Sequence, residues 1–263
     1  MNIILNETEI ALKSIDTGYI DNKKPTNTIR LLIKYYHSKG MIKEQIRSQI
    51  EDFMKKNYDE FNSSNWQNTL DRMIRTYTKN DNNSKLIDID NVNITINELN
   101  KIKELDNLKL EKIAFVLLVY AKVLNKINEK NNNWVNKSTN VIFPDTLLKD
   151  TGKERKLLIN KLKELEYIEY SKKVDKISFK VMYLDENSDI RITINDFRDF
   201  VLEYLKWKGD DIGYCENCGK PIKITNNKVK NCKECAKEIK SKQDRIADKK
   251  YKEKKRRENR KCL

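Results

Sequence analysis

TGKERKLLINKLKELEYIEYSKKVDKISFKVMYL, residues 151–184, changes its apolar period partway along. Thr151 and Glu154 form a T-x-x-E capping box, which opens a helix over "GKERKLLINKLKELEY". At about 100° per residue, Leu158, Leu162 and Leu165 gather on one side of that helix. Lys153, Lys156, Asn160 and Lys163 gather on the other. Beyond Tyr167 the period falls to two. "YIEYS" and "KISFKVMYL" are separated by "KKVD", which predicts a hairpin, and Ile177, Phe179, Val181 and Tyr183 alternate onto one of its faces.

Upstream, Thr95 and Glu98 make another T-x-x-E box. "LEKIAFVLLVYAKVLNKI", Leu110 to Ile127, is apolar nearly all round and so predicts a buried core helix. "NEKNNNWVNKSTN" reads as a loop with Trp134 packed back on the core, and "IFPDTLLKD" as a short helix. Helix, short helix, helix and hairpin is the order of a winged helix-turn-helix. In that arrangement the Lys/Asn face would lie in a DNA major groove, where Asn bonds adenine and Lys reaches guanine or phosphate. Lys172, Lys173 and Lys176 would stand at the wing tip against phosphate or the minor groove. Such folds also dock proteins, so the fold alone leaves both partners open. "RITINDFRDFVLEYLKWKG" then predicts a strand and a helix from Asp196 to Lys208, ended by Gly209.

Residues 1–25 are uninformative, and "DTGYIDNKKPTN" reads as turn and linker with Gly18 and Pro25 as breakers. From 26 to 80, three helical segments predict a small bundle, with Ser63 or Ser64 as a cap and His37 as a surface residue. Residues 81–94 read as a polar linker. Its Asp88 and Asp90 form a lone D-x-D, which is a weak metal signal.

The cysteines are more specific. Cys215-x2-Cys218, thirteen residues, then Cys232-x2-Cys235 is the spacing of a four-cysteine zinc ribbon. "KPIKI" and "KVKNC" around "TNN" suggest a short hairpin between the pairs. Four thiolates around Zn²⁺ leave no open position, so the ion would be structural; iron–sulfur ligation is the alternative. The fifth cysteine, Cys262, lies outside the spacing and reads as incidental.

Charge is uneven. From Tyr214 to Leu263 the chain has 18 Lys and Arg against 7 Asp and Glu, +11 of the total +14. A basic tail on a nearly neutral body is the footprint of a polyanion binder. Lys254, Lys255, Arg256, Arg257, Arg260 and Lys261 would add phosphate contacts from a basic helix or tail. No basic n-region opens the sequence, and no segment approaches the ~18 apolar residues of a membrane span. The expectation is a cytoplasmic protein with no membrane partner. No G-x-x-x-x-G-K-[ST] or G-x-G-x-x-G occurs, and one histidine with no nucleophile motif argues against a catalytic triad.

"LEKIAFVLLVYAK", "NNNWVN", "LINKLKELEYIEYSKKVD", "ITINDFR" and "CENCGKPIK…CKECAKEIK" resemble uncharacterised phage, prophage and conjugative-element proteins of low-GC Gram-positive bacteria, roughly from Lys24 to Lys240. The resemblance implies a mobile-element origin, a winged-helix core and a zinc ribbon, and brings no catalytic residues.

The expected architecture is mainly α with small β hairpins. It comprises an N-terminal segment (1–25), a helical bundle (26–80), a linker (81–94), a winged-helix-like domain with a C-terminal helix (95–209), a zinc ribbon (210–240) and a basic helix or tail (241–263). The expected function is that of a non-enzymatic, nucleic-acid-binding accessory protein in replication or transcription control, acting on double-stranded DNA. A factor docking on a host protein complex, such as RNA polymerase or a defence nuclease, is the alternative. A metal-dependent nuclease or primase ranks third.

Overall fold

A computed structural model describes residues 5–21, 23–79, 81, 83–171, 178–226 and 228–261, with the side chains of 254–261 outside the description. The chain divides into two compact units, one of Asn2–Val92 and Lys122–Trp134, the other of Asn93–Ala121 and Val135–Leu263.

The first unit holds α1 (Glu7–Thr17), α2 (Pro25–Ser38), α3 (Lys43–Asn57) and α4 (Ser63–Tyr77). Pro25 starts α2 at a position where its missing N–H costs nothing. Asn62, rather than Ser63 or Ser64, caps α4, its side chain accepting from the Ser64 and Asn65 N–H groups. Ile29, Leu32, Ile33, Ile46, Ile50, Leu70 and Ile74 fill one core with Ala11 of α1. The N-terminal segment, uninformative in sequence, is therefore part of the bundle. Its helix buries Glu7 beside the equally buried Lys34 of α2, with Nζ 2.5 Å from the carboxylate. That carboxylate also accepts from the Ile87 N–H at 3.0 Å. Ile10 and Ile15 pack beside Ala11, but an acid buried in the same helix is nothing an apolar pattern reveals.

The second unit begins with β1 (Val92–Thr95), its last three residues, and α5 (Ile96–Lys103). Glu98 accepts from the Thr95 N–H at 2.9 Å, so this capping box forms as expected. Next comes α6 (Leu108–Ile127), whose residues to Ala121 belong here. Ile113 to Ala121 are all fully buried, as an all-round apolar helix requires. Then follow β2 (Trp134–Val135), α7 (Thr139–Ile142) with a 3-10 turn over Phe143–Thr146, α8 (Gly152–Glu164), β3 (Ile168–Tyr170) and β4 (Phe179–Val181).

These strands form a three-stranded sheet in the order β2-β4-β3. The hairpin is antiparallel, with Ile168 opposite Val181 and Tyr170 opposite Phe179. Phe179, Val181 and Tyr183 are buried on one face; Ile177 lies outside the described residues. The stretch around Trp134, read as a loop, supplies the third strand. Two residues are too few to show a period in sequence.

Beyond the sheet come β5 (Ile190–Ile194), paired with β1, and α9 (Val201–Lys208). Helix α9 starts five residues later than the sequence suggests. Asp196 turns the chain by accepting from the Arg198 N–H at 2.9 Å, and Asp199 takes a positive φ of 47°. Tyr204 stacks on Phe115 with ring centroids 5.2 Å apart and donates to the buried Glu111 at 2.8 Å. Finally β6 (Ile212–Tyr214) and β7 (Pro221–Lys223) pair antiparallel, and α10 (Lys233–Lys261) ends the description. Among the described residues no helix is long and apolar enough to cross a membrane.

Candidate metal centre and nucleic-acid face

Cys215, Cys218, Cys232 and Cys235 come together, their four sulfurs all within 4.8 Å of one another. Three of the four residues are buried and Cys218 is half-buried. The first pair sits on the turn that joins β6 to β7. Cys215 donates its N–H to the Lys220 carbonyl, and the Gly219 N–H returns to the Cys215 carbonyl, both at 2.9 Å. Gly219 closes that knuckle at φ 72°, a region that Gly enters freely.

The second pair departs from expectation. The hairpin does not lie between the cysteine pairs: "KPIKI" pairs backwards onto Ile212–Tyr214, ahead of Cys215. "KVKNC" forms no strand, and Cys235 falls in the first turn of α10 with Cys232 just before it. The Cys235 N–H, one of the free donors of a helix N-terminus, lies 3.4 Å from Cys232 Sγ.

The donor set fits a tetrahedral ion. Bonds of about 2.3 Å place the sulfurs about 3.8 Å apart, and Cys218 and Cys232 Sγ are 3.8 Å apart. Asn217 Nδ2 donates to Cys235 Sγ at 3.2 Å. Asn231 Oδ1 is 3.6 Å from Cys215 Sγ, and a flip of that amide would turn a donor toward a thiolate. Thiolates this close oppose one another. Burial raises the Cys215 thiol, but N–H donation from Cys232, Asn217 and Cys218 outweighs it and brings the group down to about 6. At Cys232 the Cys235 N–H works downward, yet burial and the neighbouring thiols push it up to about 12. A divalent cation held by the four sulfurs would reverse that conflict and let all four ionise.

The body holds this module through polar contacts. Arg198 donates to the Cys218 carbonyl at 2.8 Å. Lys206 of α9 donates to the Tyr214 hydroxyl, which donates in turn to Glu203, both at 3.1 Å.

The other predicted residues separate into three sets. Lys153, Lys156, Asn160 and Lys163 are all exposed along α8, whose capping box forms with Glu154 accepting from the Thr151 N–H at 2.7 Å. The apolar side of α8 is rotated from the predicted one. Ile159 and Leu162 are buried, whereas Leu165 is 42% exposed and Leu157 60% exposed. Leu157 thus stands exposed at the edge of the Lys/Asn face. Tyr170 of β3, not singled out from sequence, donates to Asn160 Oδ1 at 2.5 Å and carries Lys163 Nζ 5.2 Å above its ring. Lys172, Lys173 and Lys176 lie outside the described residues. Lys254, Lys255, Arg256, Arg257, Arg260 and Lys261 fall on the α10 backbone, with side chains outside the description. From Ser241 to Glu253 every residue of α10 is exposed.

Asp88 accepts from both the N–H and the hydroxyl of Thr8, at 3.0 and 2.5 Å, and so tethers the first turn of α1. His37 is half-buried at the end of α2. Among the described residues, the four cysteines are the one group of three or more His, Cys, Asp or Glu side chains able to hold a metal ion. No family model, curated protein or solved structure matches this chain.

Proposed function

We propose that this protein binds double-stranded DNA through α8, as the recognition helix of a winged helix-turn-helix. The observation that carries the reading is one exposed face of α8 bearing Lys153, Lys156, Asn160 and Lys163. That helix precedes a hairpin in an order of helix, strand, helix, helix, strand, strand with a β2-β4-β3 sheet, the connectivity a winged helix needs. The cysteine cluster takes structural Zn²⁺, since four thiolates close the coordination shell and leave no position for water. Its place is to anchor the base of α10, whose basic C-terminal segment would serve as a phosphate-binding arm. The reading assigns no catalytic chemistry. With the resemblance to mobile-element proteins, it describes a cytoplasmic accessory factor of a phage or mobile element, acting in replication or transcription control.

Selection of a site from random duplex DNA, followed by binding across a salt series, tests the proposal. The expected result is affinity that falls linearly in log K against log salt, with a slope reduced by Lys156→Ala. Duplex binding absent at low salt, with zinc bound and the fold intact, would overturn it.

A further inference from the structure

A cleft of about 820 Å³ opens beside the cysteine module, walled by α9, β7 and the first turn of α10. Its size lies in the range of ligand sites. Leu147, Leu202, Leu205, Pro221, Ile222 and Val229 give it an aliphatic lining. Around them stand Lys112, Lys220, Lys223, Lys228, Lys230 and Lys233, against only Asp199 and Glu234. Both of those acids face Lys220, at 2.8 and 3.6 Å. Lys223 and Lys230 have exposed partners in Asp210 and Glu216. Among the described residues, Lys112, Lys228 and Lys233 make no ion pair.

We propose that this cleft docks an acidic peptide segment of a protein partner, with aliphatic or aromatic side chains on its floor and Asp or Glu carboxylates on the lysine rim. The two halves of that chemistry come from the two halves of the lining. A purely anionic ligand would leave the aliphatic wall unused, and an apolar one would leave the cations without counter-charge. The lining also discriminates between polyanions. Single-stranded nucleic acid is held by stacking bases on aromatic rings, and no aromatic side chain lines the cleft among the described residues. Burial and the nearby Lys223 lower the Lys112 ammonium, Asp210 acting the other way; an incoming carboxylate supports the charged form. Leu147 holds a positive φ of 55° with 41% of its surface exposed at the edge, a conformation uncommon for a non-glycine residue.

A random twelve-residue peptide library displayed on phage, selected on the zinc-loaded full chain, tests this. Enriched peptides should combine Asp or Glu with Leu, Ile, Val or Phe. Their affinity, read by fluorescence anisotropy, should fall about tenfold in a Lys228→Glu/Lys233→Glu variant. Zinc content and circular dichroism should stay unchanged. Leu147→Asp, outside the cysteine module, should weaken the same peptides even if the double variant proves to lose its metal. No enrichment, enrichment of neutral or basic peptides, or affinity unaltered by Leu147→Asp overturns the proposal. Displacement of the peptides by a single-stranded oligonucleotide that itself loses affinity in both variants also overturns it, and reassigns the cleft to nucleic acid.

Discussion

The Arg198 guanidinium donates to the Cys218 carbonyl oxygen at 2.8 Å while pairing with the Asp196 carboxylate at 2.5 Å. One planar group therefore joins the turn before α9 to the first cysteine knuckle. Lys cannot reproduce that fork. Burial works to raise the Asp196 carboxyl, but hydrogen bonds from Arg198 prevail and hold it below the usual carboxylate range. Its folded pKa is depressed, so its contribution is present above the ordinary aspartate pKa and lost as pH falls through the depressed value. Arg198→Ala should cost roughly 1 kcal/mol, since the guanidinium is half exposed. The acid limb of the stability–pH curve should flatten. Urea titrations at pH 7 and in the acid range check both, and an equal loss at the two pH values would refute the linkage.

Removing the metal should act locally. A four-thiolate site supplies much of the folding energy of so small a module. A strong chelator should release one zinc per chain, expose four thiols to a chromogenic disulfide reagent, and abolish hydrogen-exchange protection over β6 and β7. The α1–α4 bundle should keep its protection, because its core contains no residue of the module. Iron in place of zinc by elemental analysis would redirect the site to an iron–sulfur cluster.

The buried Glu7–Lys34 pair gives a stability prediction of larger size. Glu7→Ala leaves the Lys34 ammonium, 4% exposed, without its carboxylate. Loss of one partner in such a pair costs about 3–5 kcal/mol. The apolar double variant Glu7→Leu/Lys34→Met should recover most of the loss, since neither charge then needs desolvation. Urea unfolding of the three chains decides it. A double variant no better than Glu7→Ala would mean that the Ile87 hydrogen bond to Glu7, or the Arg30 guanidinium 3.8 Å from it, carries the effect.

What the sequence made legible was short in range. Both T-x-x-E boxes, the all-round apolar α6, the hairpin alternation and the C-x-x-C pairs are signals written within a few residues. What escaped depends on distant partners. The α1 helix buries an acid whose counter-ion is 27 positions away. Trp134 and Val135 become a strand only because β4 lies beside them. Helical spacing groups Leu158, Leu162 and Leu165, whereas packing buries Ile159 and Leu162 and leaves Leu157 outside. Cysteine spacing picked out the four residues that come together, without showing that the second pair belongs to a helix.

Tyr170 offers the sharpest test of the DNA reading. Its hydroxyl donates to Asn160 Oδ1, which fixes that amide and leaves Nδ2 and one oxygen lone pair for another partner. A bidentate contact with adenine needs that donor and acceptor presented together. Asn160→Ala should therefore lower discrimination at one base pair by about 1–3 kcal/mol. Tyr170→Phe should lower it less, because the amide remains but turns freely. Neither change touches a phosphate-neutralising charge, so the slope of log K against log salt should be unaltered in both. Lys153→Ala, Lys156→Ala and Lys163→Ala should each reduce that slope by about 1 and weaken all sequences alike. Binding of the selected duplex and its single-base variants, measured across salt for all five chains, separates the two behaviours. If Asn160→Ala leaves base preference intact, Asn160 is not the residue that reads the base.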